Sequence, residues 1–175
     1  MNNDELGVSK EIYYFFDGNE NDILEFKRQN LSLEDIQFKI NIVEDILQII
    51  FEMKNYTTRE LAIKNNLDLT IKYNKSIELL SQRIRFWDIE NVYFFINEIE
   101  SELKKEKEFL INFLSKIIIN VKHSVEAEDL KKLINLKNSI RSNVNVKSVI
   151  FNFFDILQNS WKKINKEKMG NKLYR

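Results

Sequence analysis

Apolar residues recur along this chain at intervals of three and four, the spacing that stacks side chains on one face of an α-helix. The stripe Ile36, Ile40, Val43, Leu47 and Ile50 is the clearest case. A second stripe, Phe38, Ile42, Ile46, Ile49 and Met53, runs beside it, and Glu34, Gln37, Asn41, Glu44, Gln48 and Glu52 fill the remaining face. The apolar arc spans roughly 200° at about 100° per residue, which predicts a central helix touching more than one neighbour. Ser32 stands at its start as an N-cap with Asp35 three residues on, and the pattern reaches about Lys54. Leu31 and Ile36 flank that cap as a hydrophobic staple.

Shorter elements precede this helix. Glu11 to Phe16 reads as a short helix closed by the turn Asp17-Gly18-Asn19. Asp22, with Glu25 three residues later, predicts a cap for a second short helix to about Asn30.

After the central helix, Thr57-x-x-Glu60 is a capping box for a helix from near Thr58. Asn65 to Asp68 is either a break or a polar turn within one helix, and the periodicity resumes on Leu69, Tyr73, Ile77, Leu80, Ile84 and Trp87. Asp88 caps again. The stripe Ile89, Val92, Ile96, Ile99, Leu103, Leu110, Phe113, Ile117 and Val121 stays in phase across Glu106. It predicts one helix from Ile89 to about Lys122, about 50 Å long at 1.5 Å per residue. Ser124 caps a shorter helix on Leu130, Leu133, Ile134 and Ile140, interrupted by Asn143-Val144-Asn145. A last helix from about Val146 to Met169 rests on Val146, Ile150, Phe153, Leu157, Trp161 and Ile164, with Gly170 as its C′ residue.

No segment carries the alternation of a strand over a useful length. The expectation is an all-α, single-domain helical bundle of about six helices, including one or two long ones. Residues 1–170 form that domain and 171–175 a flexible C-terminal tail. The length of 175 residues suits one core, since domains cluster at about 100–150 residues.

Composition changes this picture in three ways. Apolar residues make up 43% and charged residues 31%, which suits a folded soluble domain. Lys and Arg total 27 and so do Asp and Glu, so a generally basic nucleic-acid binder is disfavoured. The abundance of Ile, Asn and Lys, with Ala only at Ala62 and Ala127, reads as the codon bias of an AT-rich genome and discounts the many Asn residues as turn signals. The N-terminus lacks the basic start and apolar stretch of a signal peptide, and no run of about 18 apolar residues exists. The expectation is a cytoplasmic protein with no membrane span.

The chemistry that is missing narrows function further. With no Cys and a single His, there is no thiol nucleophile, disulfide or Cys-based zinc site. No glycine-rich nucleotide cradle occurs, and a helical di-iron site would need two Glu-x-x-His pairs where only His123 exists. The Arg-to-His spacing of four to six that helical ribonucleases use is absent upstream of His123. His123 stands where a helix ends, as a dipole-compatible residue. A carboxylate pair alone serves glycosidases, but no pair stands out among the acidic residues. The expectation is no enzyme, no cofactor and no metal.

Four features remain as candidates. The runs Tyr13-Tyr14-Phe15-Phe16 and Tyr93-Phe94-Phe95 put rings around more than one helix face, which is surplus apolar surface of the kind that marks a partner contact. Tyr14, Phe16, Tyr93 and Phe94 are the expected partner-binding anchors, for another protein or for self-association. Thr57-Thr58-Arg59-Glu60-Leu61-Ala62 with Asn65-Asn66-Leu67 resembles the first half of a helix-turn-helix, with Ala62 in the small position. The alternative is therefore a nucleic-acid-binding regulator with a degenerate motif at about 57–85, reading through Arg59, Lys64, Lys72, Lys75, Arg83 and Arg85. That fit falters where Lys72 stands in place of an apolar residue ten after Ala62. The C-terminal segment 160–175 carries six basic residues against Glu167, and residues 1–35 carry nine acidic against three basic. The leading expectation is a non-enzymatic helical-bundle protein acting through protein–protein binding, as a regulator, inhibitor or assembly subunit.

Overall fold

The computed structural model describes residues 3–31, 43–58, 67–142 and 144–173, with side chains except at 57–58 and 161–173. The described residues are predominantly helical, with no strand among them. They form nine helices and one 3-10 turn, where about six helices were expected: α1 (Asn3–Leu6), α2 (Lys10–Phe15), α3 (Glu20–Arg28), α4 (Val43–Thr58), α5 (Leu67–Arg83), the turn Ile84–Phe86, α6 (Ile89–Leu103), α7 (Lys107–Val121), α8 (Ala127–Ser139) and α9 (Val146–Leu173). The chain divides into two compact units, 1–76 and 77–175, with the boundary inside α5.

In the first unit, α1, α2 and α3 are short and depend on caps and one apolar cluster. Ser9 Oγ accepts from the Ile12 amide at the start of α2. Asn19, and not Asp22, caps α3, its Oδ1 accepting from the Asp22 amide at 3.1 Å. The turn between them needs positive φ at Asp17 (53°) and Gly18 (70°), which Asp tolerates and Gly adopts freely. A Cβ on Gly18 would stand 2.9 Å from the Tyr13 hydroxyl, so a side chain there would push that ring aside as well as strain the backbone. Leu6, Phe16, Ile23, Phe26, Leu67 and Ile71 form the core, with Val8, Ile12, Tyr13 and Phe15 packed against it. On α4, Val43, Ile46, Leu47 and Ile50 are buried at the expected spacing. The helix continues through Thr57 and Thr58 instead of ending near Lys54. No Pro or Gly interrupts the backbone ladder there, so Thr57 is a helical residue and not a cap. Ser32, Ile36, Phe38, Ile40, Glu60 and Ala62 lie outside the described residues.

In the second unit, α9 is the spine. α8 packs along it, α6 and the 3-10 turn pack against it, and α7 packs on α8 and α6. Phe153, Phe154, Ile150 and Leu157 of α9 are buried, together with Phe95, Ile96 and Ile99 of α6 and Phe113, Leu114 and Ile117 of α7. Ring pairs Trp87–Phe95, Phe95–Phe154 and Phe153–Phe154 meet edge to face at 5.5, 5.5 and 5.3 Å, a favoured aromatic arrangement.

Three expectations about this unit are corrected. The single helix over 89–122 is two, because the chain breaks at Lys104-Lys105-Glu106, where Glu106 takes φ −103° and ψ 61°. Charged residues on both sides of the break have nothing apolar to bury, while Leu103 and Leu110 flanking it are fully buried. The N-cap position of α8, which begins at Ala127, is held by Glu126 and not by Ser124. The amide of Ser124 donates to the Val121 carbonyl at 2.8 Å. The Glu126 amide is satisfied from α9 by Ser160 Oγ at 3.4 Å. Finally, α9 runs on through Gly170 to Leu173, so Gly170 ends nothing and 171–173 are helical. At its start Asn145 Oδ1 accepts from the Ser148 amide at 3.2 Å, an N-cap at the expected interruption.

Candidate functional site

Among the described residues of the second unit, the 3-10 turn and α6 carry the most exposed large apolar side chains. Trp87 is extended (φ −72°, ψ 143°) and Asp88 takes the N-cap position of α6. That geometry leaves Phe86 and Ile89 on either side of the kink, 67% and 63% exposed. Tyr93 follows one turn after Ile89 on the same face of α6, 48% exposed, since residues four apart are neighbours on a helix. Its ring lies 5.9 Å from that of Phe151 on α9, tilted by 44°. The surface therefore spans two helices. Arg85 lies over the Phe86 ring at 5.7 Å, and its Nε donates to the Gln82 carbonyl at 3.0 Å.

The four expected anchors separate. Tyr93 is on this surface. Phe94 is 41% exposed, but adjacent helical residues point about 100° apart, so it sits on the neighbouring strip with Glu90 and Ser101. Tyr14 is 63% exposed and belongs to the first unit, where its ring meets Tyr13 edge to face at 5.8 Å. Phe16 is corrected: it is 2% exposed, packed on Phe26 at 5.3 Å and on Phe15 at 5.0 Å. The turn at Asp17 and Gly18 carries the chain back over it, and so it serves as core, not as an anchor. Phe86 and Ile89 escaped the sequence reading. Ile89 fits the buried stripe by spacing, and only its place as the first residue after a cap signals that it stands at the edge.

The cations of the nucleic-acid alternative fall in both units and outside the described residues. Arg59 and Lys64 lie outside the described residues. In the first unit, Lys72 pairs with Asp68 at 3.1 Å and Lys75 lies over the Phe15 ring at 5.4 Å. In the second, Arg83 is exposed and Arg85 is held at Phe86.

Titratable chemistry is sparse. Hydrogen bonds from Arg28 and then Gln29 lower the Glu25 carboxyl from 4.5 to about 2. This is an exposed i,i+3 and i,i+4 network that supports α3. Burial, and then the Asp17 carboxylate, push the Tyr73 phenol well above its ordinary value, so it stays protonated. A small recess lined by Ser81, Ile84, Arg85, Val121, Ser124, Val125 and Leu157 opens in the second unit. Its Ser81 hydroxyl is committed to the Ile77 carbonyl at 2.7 Å, and the described residues that line the recess include no His, Asp or Glu. Among the described residues no group of three His, Asp or Glu is placed to hold a metal ion. Among them, too, no helix is long and apolar enough to cross a membrane. Comparison with models of protein families, with curated proteins and with solved structures finds nothing that matches this chain.

Proposed function

We propose that this is a non-enzymatic helical-bundle protein that works by binding another protein, as a regulator, inhibitor or assembly subunit, and that the outer face of α6 is where it binds. One observation carries the reading. Phe86, Ile89 and Tyr93, three large apolar side chains within eight residues, are 67%, 63% and 48% exposed, while Phe95, Phe153 and Phe154 are fully buried. Contiguous apolar surface is expensive to leave in water, and aromatic side chains are the residues that interfaces use as anchors. Ile89 and Tyr93 supply the central contact, Phe151 supports Tyr93 from α9, and Phe94 extends the surface onto the next strip.

Truncating the anchors tests the reading. The double variant Ile89→Ala with Tyr93→Ala is expected to lose its partner in affinity capture from the native source, because two anchors together are worth at least about 2 kcal/mol, or about thirtyfold in affinity. Its unfolding free energy is expected to fall by no more than about 1 kcal/mol, since exposed sites cost about 0.5 kcal/mol each. A bound protein held equally by the wild type and the variant would refute the assignment to α6.

A further inference from the structure

We infer that the outer face of α6 receives a basic amphipathic helix of its partner protein. This rests on the docking reading above and adds the chemistry of the occupant. The carrying observation is the charge of α6. Its fifteen residues include Glu90, Glu98, Glu100 and Glu102 and no Lys, Arg or His. Two of these carboxylates border the apolar anchors. Glu90 is exposed beside Ile89 and one turn before Phe94, and Glu100 lies three turns beyond Ile89 on the row through Tyr93. Asp155 continues the acidic border on α9, one turn after Phe151 and exposed. Three cations stand nearby along the chain: Arg85, which is turned onto Phe86, Lys147 one turn before Phe151, and Lys104 one turn after Glu100 at the far end of the row.

An apolar row flanked by carboxylates is the complement of one particular ligand. A helix presenting apolar residues at i, i+3, i+4 and i+7 fills the row between Ile89 and Tyr93, and lysines on its flanks meet Glu90, Glu100 and Asp155. The same carboxylates disfavour the other occupants. A second copy laid α6 against α6 would bring like charges together. Nucleic acid and anionic lipid carry phosphates that this border repels.

The test uses the full-length protein and two synthetic helical peptides, identical in their Leu positions and carrying either Lys or Glu at all flanking positions. Fluorescence anisotropy at about 50 mM and about 500 mM salt reads the charge contribution. The Lys peptide is expected to bind at least about tenfold tighter than the Glu peptide at the lower salt, with the gap narrowing at the higher. The variant Glu90→Lys with Glu100→Lys is expected to invert that preference, and circular dichroism checks that it stays folded. Equal affinity for the two peptides, no measurable binding of either, or a preference untouched by charge reversal would overturn the inference. If both peptides bind equally and Ile89→Ala with Tyr93→Ala abolishes both, the docking surface stands and its charge preference fails. If the Lys peptide binds the truncated variant undiminished, the docking surface itself is misplaced. Sedimentation showing a dimer that the truncation dissolves would assign the face to a second copy and overturn the inference as well.

Discussion

Replacing Phe95 with Ala is expected to lower the stability of the second unit by about 4 kcal/mol. Phe95 is fully buried, and its ring meets both Trp87, just before α6, and Phe154 on α9. Its loss removes the transfer free energy of the side chain and leaves a cavity among packed rings that cannot collapse to fill it, at about 3–5 kcal/mol for Phe→Ala. Native domains have only about 5–15 kcal/mol to lose. Hydrogen exchange is the suitable reading, because it reports on each unit separately. Amides of α6 and of α9 near Phe153 are expected to lose protection, and full protection in the variant would show that the α6–α9 aromatic packing is not what holds this unit together.

A loss of similar size is expected for Phe16→Ala in the first unit, by the same cavity argument and at about 3–5 kcal/mol. This is the sharper test of the structure, because the aromatic run marked Phe16 as an outward anchor. Phe16 instead lies in a cluster of Leu6, Ile23, Phe26, Leu67 and Ile71. The short helices α1 to α3 depend on that cluster, since helices of fewer than about 12 residues do not persist alone. Exchange protection at the Ile23 and Phe26 amides should collapse. By contrast, Tyr14→Ala, two residues away and well exposed, should change it little.

The helical class and most of the buried stripes were legible in the sequence because they depend only on residue periodicity. Of the stripe running from Ile89 to Val121, every position but Ile89 is buried. The break within that stripe was not legible. Lys and Glu are good helix formers, so nothing local distinguishes a charged helical turn from a charged connection at Lys104 to Glu106. What decides is that Leu103 and Leu110 both reach the core, a fact of tertiary packing. The interruption at Asn143 to Asn145 was legible, but caps were misplaced both where the bond is local, as at Asn19 in place of Asp22, and where the partner comes from afar, as at Glu126, whose amide finds Ser160 on α9. The same limit governs the candidate surface. Four consecutive rings at 13–16 announce that some must be exposed, but which ones depends on the backbone at Asp17 and Gly18. At α6 the helix cap set Ile89 outside a stripe it otherwise matches.

The central claim is that Ile89, Tyr93 and their neighbours face solvent in the isolated chain while equally large side chains do not. Hydroxyl-radical footprinting of the dilute full-length protein, read residue by residue by mass spectrometry, tests it most directly. Tyr93, Phe86 and Phe94 are expected to oxidise many-fold faster than Tyr73, Phe95 and Phe153, whose rings are enclosed. Protection of Tyr93 equal to that of Tyr73 would mean that the face of α6 is already covered within the protein, and the docking account would be wrong.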